Sequence, residues 1–145
     1  MRRWAKQLRA DERGNATIEL VVGIPVFFLF VLLAVAGARL AMTHQATQAA
    51  AADAARSASI ARSPAEARSA AQSALSSSLN NASVRCSRSS LSLDTSGFSR
   101  PVGTAASVTA QVTCTIDWRG IELPGLPRTV VASMSSPLDT YRARR

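Results

Sequence analysis

The order of apolar and polar positions divides the chain into three regimes. From Leu20 to Ala38, nineteen consecutive residues carry no charge, and the run VVGIPVFFLFVLLAVAGA within them is long enough to cross a hydrocarbon core of about 30 Å as a helix. From Leu40 to Arg62 there is neither Gly nor Pro, and alanine, the strongest helix former, dominates, so the apolar helix is expected to continue past the membrane. Taken from Asn15 to Arg62 at roughly 1.5 Å per residue, it would be about 70 Å long. From Ser107 to Trp118 the period falls to two: Val108, Ala110, Val112, Cys114, Ile116 and Trp118 alternate with Thr109, Gln111, Thr113, Thr115 and Asp117. That alternation predicts a half-buried strand.

Between the helical and the alternating regimes, SPAE marks a break. Ser63 suits an N-cap, Pro64 suits the first helical position, and Glu66 stands three residues after Ser63 as a capping box requires. A second helix is expected to run to about Leu79 and to end in NNAS, residues 80–83. Weaker strand signals lie at residues 82–88, 90–94 and 128–134, and GFSRPVG and RGIELPGLP supply turns. The C-terminal DTYRARR reads as frayed. The expected fold class is therefore α+β: a long N-terminal helix, a short second helix, and a small antiparallel sheet of three or four strands.

Charge orients this plan. Arg2, Arg3, Lys6, Arg9 and Arg13 precede the apolar run against Asp11 and Glu12, whereas the eighteen residues after Ala38 carry only Arg39, Asp53 and Arg56. By the positive-inside rule the N-terminus is expected in the cytoplasm and the remainder outside it, a single-pass protein of the cytoplasmic membrane. Four segments follow: a basic leader at 1–14, a transmembrane segment at 15–38, an exported continuation of the helix at 39–62, and a small exported α+β domain at 63–145. The chain of 145 residues has a formal net charge of +8, of which +5 remains after the leader, scattered rather than clustered. That distribution argues against a dedicated nucleic-acid function. Sixteen arginines stand against the single Lys6 in an alanine-rich chain, a composition expected of a G+C-rich bacterial genome.

So small an exported domain buries a modest core and benefits from a covalent staple. Cys86 and Cys114 are the two cysteines, both lie outside the apolar run, and both sit on expected strands. A disulfide between them is expected to contribute about 3–4 kcal/mol in the chain-entropy treatment. Candidate chemistry is otherwise sparse. His44, the one histidine, has no Cys, Asp or Glu at ligand spacing and reads as an exposed bystander. Trp118 reads as core or sheet-edge packing. The sequons at Asn15 and Asn81 are expected to be fortuitous in a bacterium. Without a nucleophile and base constellation, a phosphate loop or a metal-ligand cluster, the chain is expected to be no enzyme, with no cofactor and no small-molecule substrate.

Glu19 is harder to place. It opens the apolar run, with Gly14 five positions before it and Pro25 six after, although an ionised group costs roughly 2.5–3.5 kcal/mol at the bilayer centre and less toward the interface. Pro25 itself removes one backbone hydrogen bond from the span.

A basic leader, Gly14, four intervening residues and then Glu19 at the head of a hydrophobic helix resemble the type IV prepilin signal. The resemblance implies that a membrane-embedded prepilin peptidase cuts after Gly14, leaving Asn15 as the first residue of the mature chain. It further implies that Glu19 pairs with the new α-amino group of a neighbouring subunit or of its own chain, so that a costly carboxylate becomes a register device for assembly. Pro25 and the segment Asp53-Ala54-Ala55-Arg56 narrow the likeness to TadE-like and TadG-like pseudopilins of the tight-adherence (Tad) pilus system, over roughly residues 13 to 62. Implied are a pilin-like layout, a minor or accessory role in a Tad-type pilus or secretion apparatus, and other pilins and pseudopilins as partners. Leu20 departs from the aromatic residue that many relatives carry there, and the short tail favours the TadE-like group. Three readings compete with this one: a signal anchor whose glutamate snorkels, an envelope protein secreted by cleavage near Ala36-Gly37-Ala38 with a small binding domain, and a DNA-uptake pseudopilin.

Overall fold

A computed structural model describes residues 4–116 and 129–141, with side chains from Glu19 onward. The chain falls into two units, Met1–Leu40 and Ala41–Arg145. The first helix, α1, spans Trp4–Ile60 and so contributes to both. It begins earlier than the expected start at Asn15, because Ala5–Arg13 is a run of good helix formers without proline. Gly14 costs a helix only about 1 kcal/mol relative to alanine, too little to end it. Pro25 is likewise accommodated inside the helix.

In the second unit α1 is followed by α2 (Pro64–Asn81), β1 (Cys86–Asp94), a 3₁₀ turn at Ser96–Ser99, β2 (Ser107–Ile116) and β3 (Thr129–Pro137). The strands form one antiparallel sheet in the order β1-β2-β3, so the fold is α+β with three strands among the described residues. Half of the capping box is present: Ser63 Oγ accepts from the Glu66 amide at 3.3 Å. The Glu66 carboxylate accepts from the amide of Arg62, at 2.9 Å, rather than from that of Ser63. The second helix runs two residues past Leu79, its carbonyls being satisfied by the amides of Ala82 and Ser83, and Ser83 takes the left-handed conformation at φ 55°.

The alternation of β2 holds from Ser107 to Ile116; Asp117 and Trp118 lie outside the described residues, as does the turn RGIELPGLP. The strand signal at 128–134 becomes β3 and runs on to Pro137. The two signals at 82–88 and 90–94 prove to be one strand that starts at Cys86. Between them the sequence changes phase, since Cys86 and the pair Leu91 and Leu93 stand an odd number of residues apart and would face opposite sides of a regular strand. A register shift between Cys86 and Arg88 absorbs the difference: Cys86 lies opposite Ile116, and Leu91 and Leu93 lie opposite Val112 and Ala110.

Both helices cover one sheet face. Along the part of α1 in this unit the buried positions are Thr43, Ala46, Thr47, Ala50, Ala51, Ala54, Ala55 and Ala58, the three-and-four spacing of a single helical stripe, and Ala61 is buried just past the end of the helix. From Ala50 onward they pack with Ala67, Ala71, Leu75 and Leu79 of α2 on Leu91, Val108, Ala110, Val112 and Ala132 of the sheet. Ser136 Oγ donates to Ser59 Oγ at 3.0 Å, tying β3 to α1. The opposite face presents Ser90, Ser92, Thr109, Gln111, Ser133 and Ser135, none of them buried, the half-solvated arrangement usual for a small antiparallel sheet.

Gly97 is required by close approach, since a Cβ there would collide with the carbonyl oxygen of Ser107 and come within 2.9 Å of Leu138 Cδ1. Just before it, the exposed Asp94 carboxylate accepts the Ser96 amide at 2.9 Å, which holds its pKa below the usual carboxylate range.

The break between the helices depends on one side chain. Ser63→Ala removes the oxygen that accepts the Glu66 amide and is expected to lower unfolding stability by about 1 kcal/mol, measured by denaturant titration of the detergent-solubilised chain. An unchanged midpoint would show that the proline and the Glu66 carboxylate hold the break without it.

Candidate functional site

Two sets of residues carry the chemistry expected from the sequence, one in each unit. In the first, Gly14 and Asn15 lie on the helical backbone of α1, and Glu19 follows on the same helix with its side chain exposed. From Leu20 to Val35 every large apolar side chain of the helix is exposed, Phe30 by 70%. Phe27 and Phe28 meet edge to face, with ring centroids 6.2 Å apart. Such a surface is stable against lipid or against another apolar helix, and not in water. By length and composition this helix can cross a membrane, as a single anchor or as a signal.

Glu19 therefore stands at the boundary between a charged segment and an apolar one. Its neighbours one turn on are Val22 and Gly23, and a second turn brings Val26, so the carboxylate heads an apolar stripe. Pro25 removes the amide that would bond the Val21 carbonyl, which leaves backbone polarity within one turn of Glu19. A carboxylate there can accept hydrogen bonds or pair with a cation brought from elsewhere. The chain supplies no cation among Leu20–Ala38.

In the second unit Asp53-Ala54-Ala55-Arg56 has a clear structural role. Ala54 and Ala55 are buried at 0% and 1% exposure, while Asp53 and Arg56 are exposed. The two charged residues form one wall of an open groove of about 540 Å³, with Ser77, Ser78 and Asn81 of α2 on the other. The sequence marked the segment only as part of a likeness; that it is a packing contact flanked by a polar rim follows from α2 crossing it. His44 is exposed on α1. Among the described residues no three His, Cys, Asp or Glu side chains gather as metal ligands.

Cys86 and Cys114 form a disulfide, with Cα atoms 5.4 Å apart and a sequence separation of 28. Cys114 is fully buried and Cys86 half-buried. The bond joins the first residue of β1 to the strand beside it, across the bulge, where the ladder alone is irregular. It does chain-closing work and holds the phase of β1.

The bond predicts the behaviour of the isolated protein. Under denaturing, non-reducing conditions alkylation is expected to label no cysteine. Reduction is expected to lower stability by about 3–4 kcal/mol, less any strain released. Two labelled cysteines in protein taken from the cell envelope would contradict the bond.

Comparison with known proteins adds a match at the N-terminal end. A family model described as TadE-like protein matches residues 14–56. No curated protein matches the chain, and no solved structure does.

Proposed function

From a chain that belongs, through residues 14–56, to the TadE-like family, we propose a minor or accessory pseudopilin that sits in the cytoplasmic membrane and serves assembly of a Tad-type pilus or secretion apparatus. The observation that supports it best is the extent of the match. It begins at Gly14, the residue before the proposed cut, takes in Glu19 and Pro25, and ends at Arg56, where the alanine face of α1 meets α2.

The proposed mechanism runs from the leader outward. Residues 1–14 stay at the cytoplasmic face because five basic side chains hold them there. Gly14 has no side chain to obstruct a peptidase at the backbone, and hydrolysis after it leaves the α-amino group of Asn15. That group is a cation four residues from Glu19, on this chain or on a neighbour. Pairing the two discharges the cost of a carboxylate near hydrocarbon, and it does so only when the helices are in register. The apolar surface from Leu20 to Val35 supplies the packing against lipid and neighbouring helices. The α+β unit is then carried on the exported side, where its disulfide is kept oxidised.

Processing is tested by mass. Co-expression with a prepilin peptidase is expected to shorten the chain by fourteen residues so that it begins at Asn15, and Gly14→Val is expected to block this. An unchanged intact mass with an active peptidase present would sink the proposed cut.

The role of Glu19 is tested separately. Glu19→Ala is expected to leave insertion and cleavage intact while abolishing crosslinks to the other pseudopilins and surface piliation, because an α-amino group left unpaired costs roughly 3–5 kcal/mol. Glu19→Asp, with the charge kept and the reach shortened, is expected to be intermediate. Normal crosslinks and pili in the Glu19→Ala strain would return the glutamate to a tolerated interfacial residue.

A further inference from the structure

The two edges of the sheet are not equivalent. A free edge exposes a row of backbone amides and carbonyls, and proteins blunt such edges with bulges, charges or proline. The β1 edge carries two of these devices: the register shift between Cys86 and Arg88, and the charges of Arg88 and Asp94. The β3 edge carries none of them before its last residue. Thr129–Pro137, TVVASMSSP, has no charge, no glycine and no internal proline. Its pairing with β2 runs without interruption from Thr129 opposite Thr115 to Pro137 opposite Ser107. Among the described residues no strand covers its outer edge. Along that edge Val131 is 50% exposed, and Met134, on the core side, is only half-buried.

We propose that the β3 edge pairs antiparallel with the β3 edge of a second copy of this chain, centred on Ser133, joining two three-stranded sheets into one. What an edge accepts is an extended backbone, and β3 itself is complementary to β3. Centring on Ser133 overlaps the whole strand, with Thr129 opposite Pro137 of the second copy. Residues of one parity then meet residues of the same parity. Val131 falls opposite Ser135 of the second copy on the polar face, and Ala132 opposite Met134 of the second copy on the core face, so each half-buried methionine gains a cover. No charged side chain enters the contact, so no like-charge pair opposes it. The arrangement is closed by its two-fold axis and leaves the blunted β1 edges outermost, where further growth is discouraged.

This inference does not depend on the pseudopilin reading, and its test is placed away from the N-terminal helix. Ser133 and Ser90 are both exposed on the polar face, one on each edge strand. In membranes from cells expressing the full chain, Ser133→Cys is expected to convert to a disulfide-linked homodimer on mild oxidation. Across an antiparallel pair the facing Cα atoms lie about 4.5–5.5 Å apart, within disulfide range. Ser90→Cys, the control, is expected to remain without a crosslink. In detergent, Ser133→Lys places two ammonium groups at the axis and is expected to shift the wild-type dimer to monomer while leaving the far-ultraviolet circular dichroism spectrum unchanged. A monomeric wild type, a Ser133→Lys dimer, or equal crosslinking at Ser133 and Ser90 would overturn the proposal. A Ser133→Cys adduct with the mass of a different protein would assign the edge to a foreign strand and overturn it equally.

Discussion

The fold of the second unit depends on how closely α1 and α2 approach the sheet and each other. Ala54, Ala55 and Ala58 on α1 cluster with Ala67 and Ala71 on α2 at almost complete burial, and Ala50 and Ala51 cluster with Leu75 and Leu79, so the α1 side of the contact is made by methyl groups. Interiors pack to crystal-like density, and small side chains reach it only if the elements come close. The larger buried residues are Leu75 and Leu79 on α2, Phe98 in the 3₁₀ turn, and Val108 and Val112 on the central strand. The hydroxyls admitted to this packing are satisfied. Thr47 is fully buried and donates to the Thr43 carbonyl at 2.7 Å, one turn back on its own helix.

That close packing constrains the sheet in turn. A three-stranded sheet has one inner strand, and β2 is buried at every second residue from Val108 to Cys114. The outer strands contribute less, and β1 contributes through leucines that stand out of phase with its first residue. The bulge after Cys86 lets both ends of β1 face the helices, and the disulfide fixes the displaced end to the best-buried strand. An irregular ladder and a covalent bond at the same place are complementary: the first admits an extra residue, the second removes the freedom it would bring.

The two stretches of α1 follow opposite rules. From Leu20 to Val35 the helix exposes its largest apolar side chains, and from Thr43 to Ala58 it buries small ones. In hydrocarbon, bulk on the helix surface is favourable and no polar face is needed, whereas against a sheet in water the close approach of a small-residue stripe is what excludes solvent. Glu19 at the head of the first stretch and the Asp53 and Arg56 pair beside the second are the charged residues that border each surface.

Much of this was legible in the sequence because the signals were local. The apolar run, the N-cap at Ser63 and the alternation of β2 each rest on neighbouring residues, and among the described residues each lies where it was expected. Gly14, Glu19 and Pro25 form a spacing along one helix that is local in the same way, and their roles belong to the proposed function. The sequence could not say which face of α1 is inside. Alanine stands at exposed positions 49 and 52 as well as at buried positions 50, 51, 54 and 55, and hydropathy assigns them all the same value. Nor could it join the two weak signals around Cys86 into one strand, because the change of phase between them is resolved only by pairing with β2. Burial of a methyl group and the register of a bulged strand are settled by what lies opposite, and what lies opposite comes from residues distant in the chain.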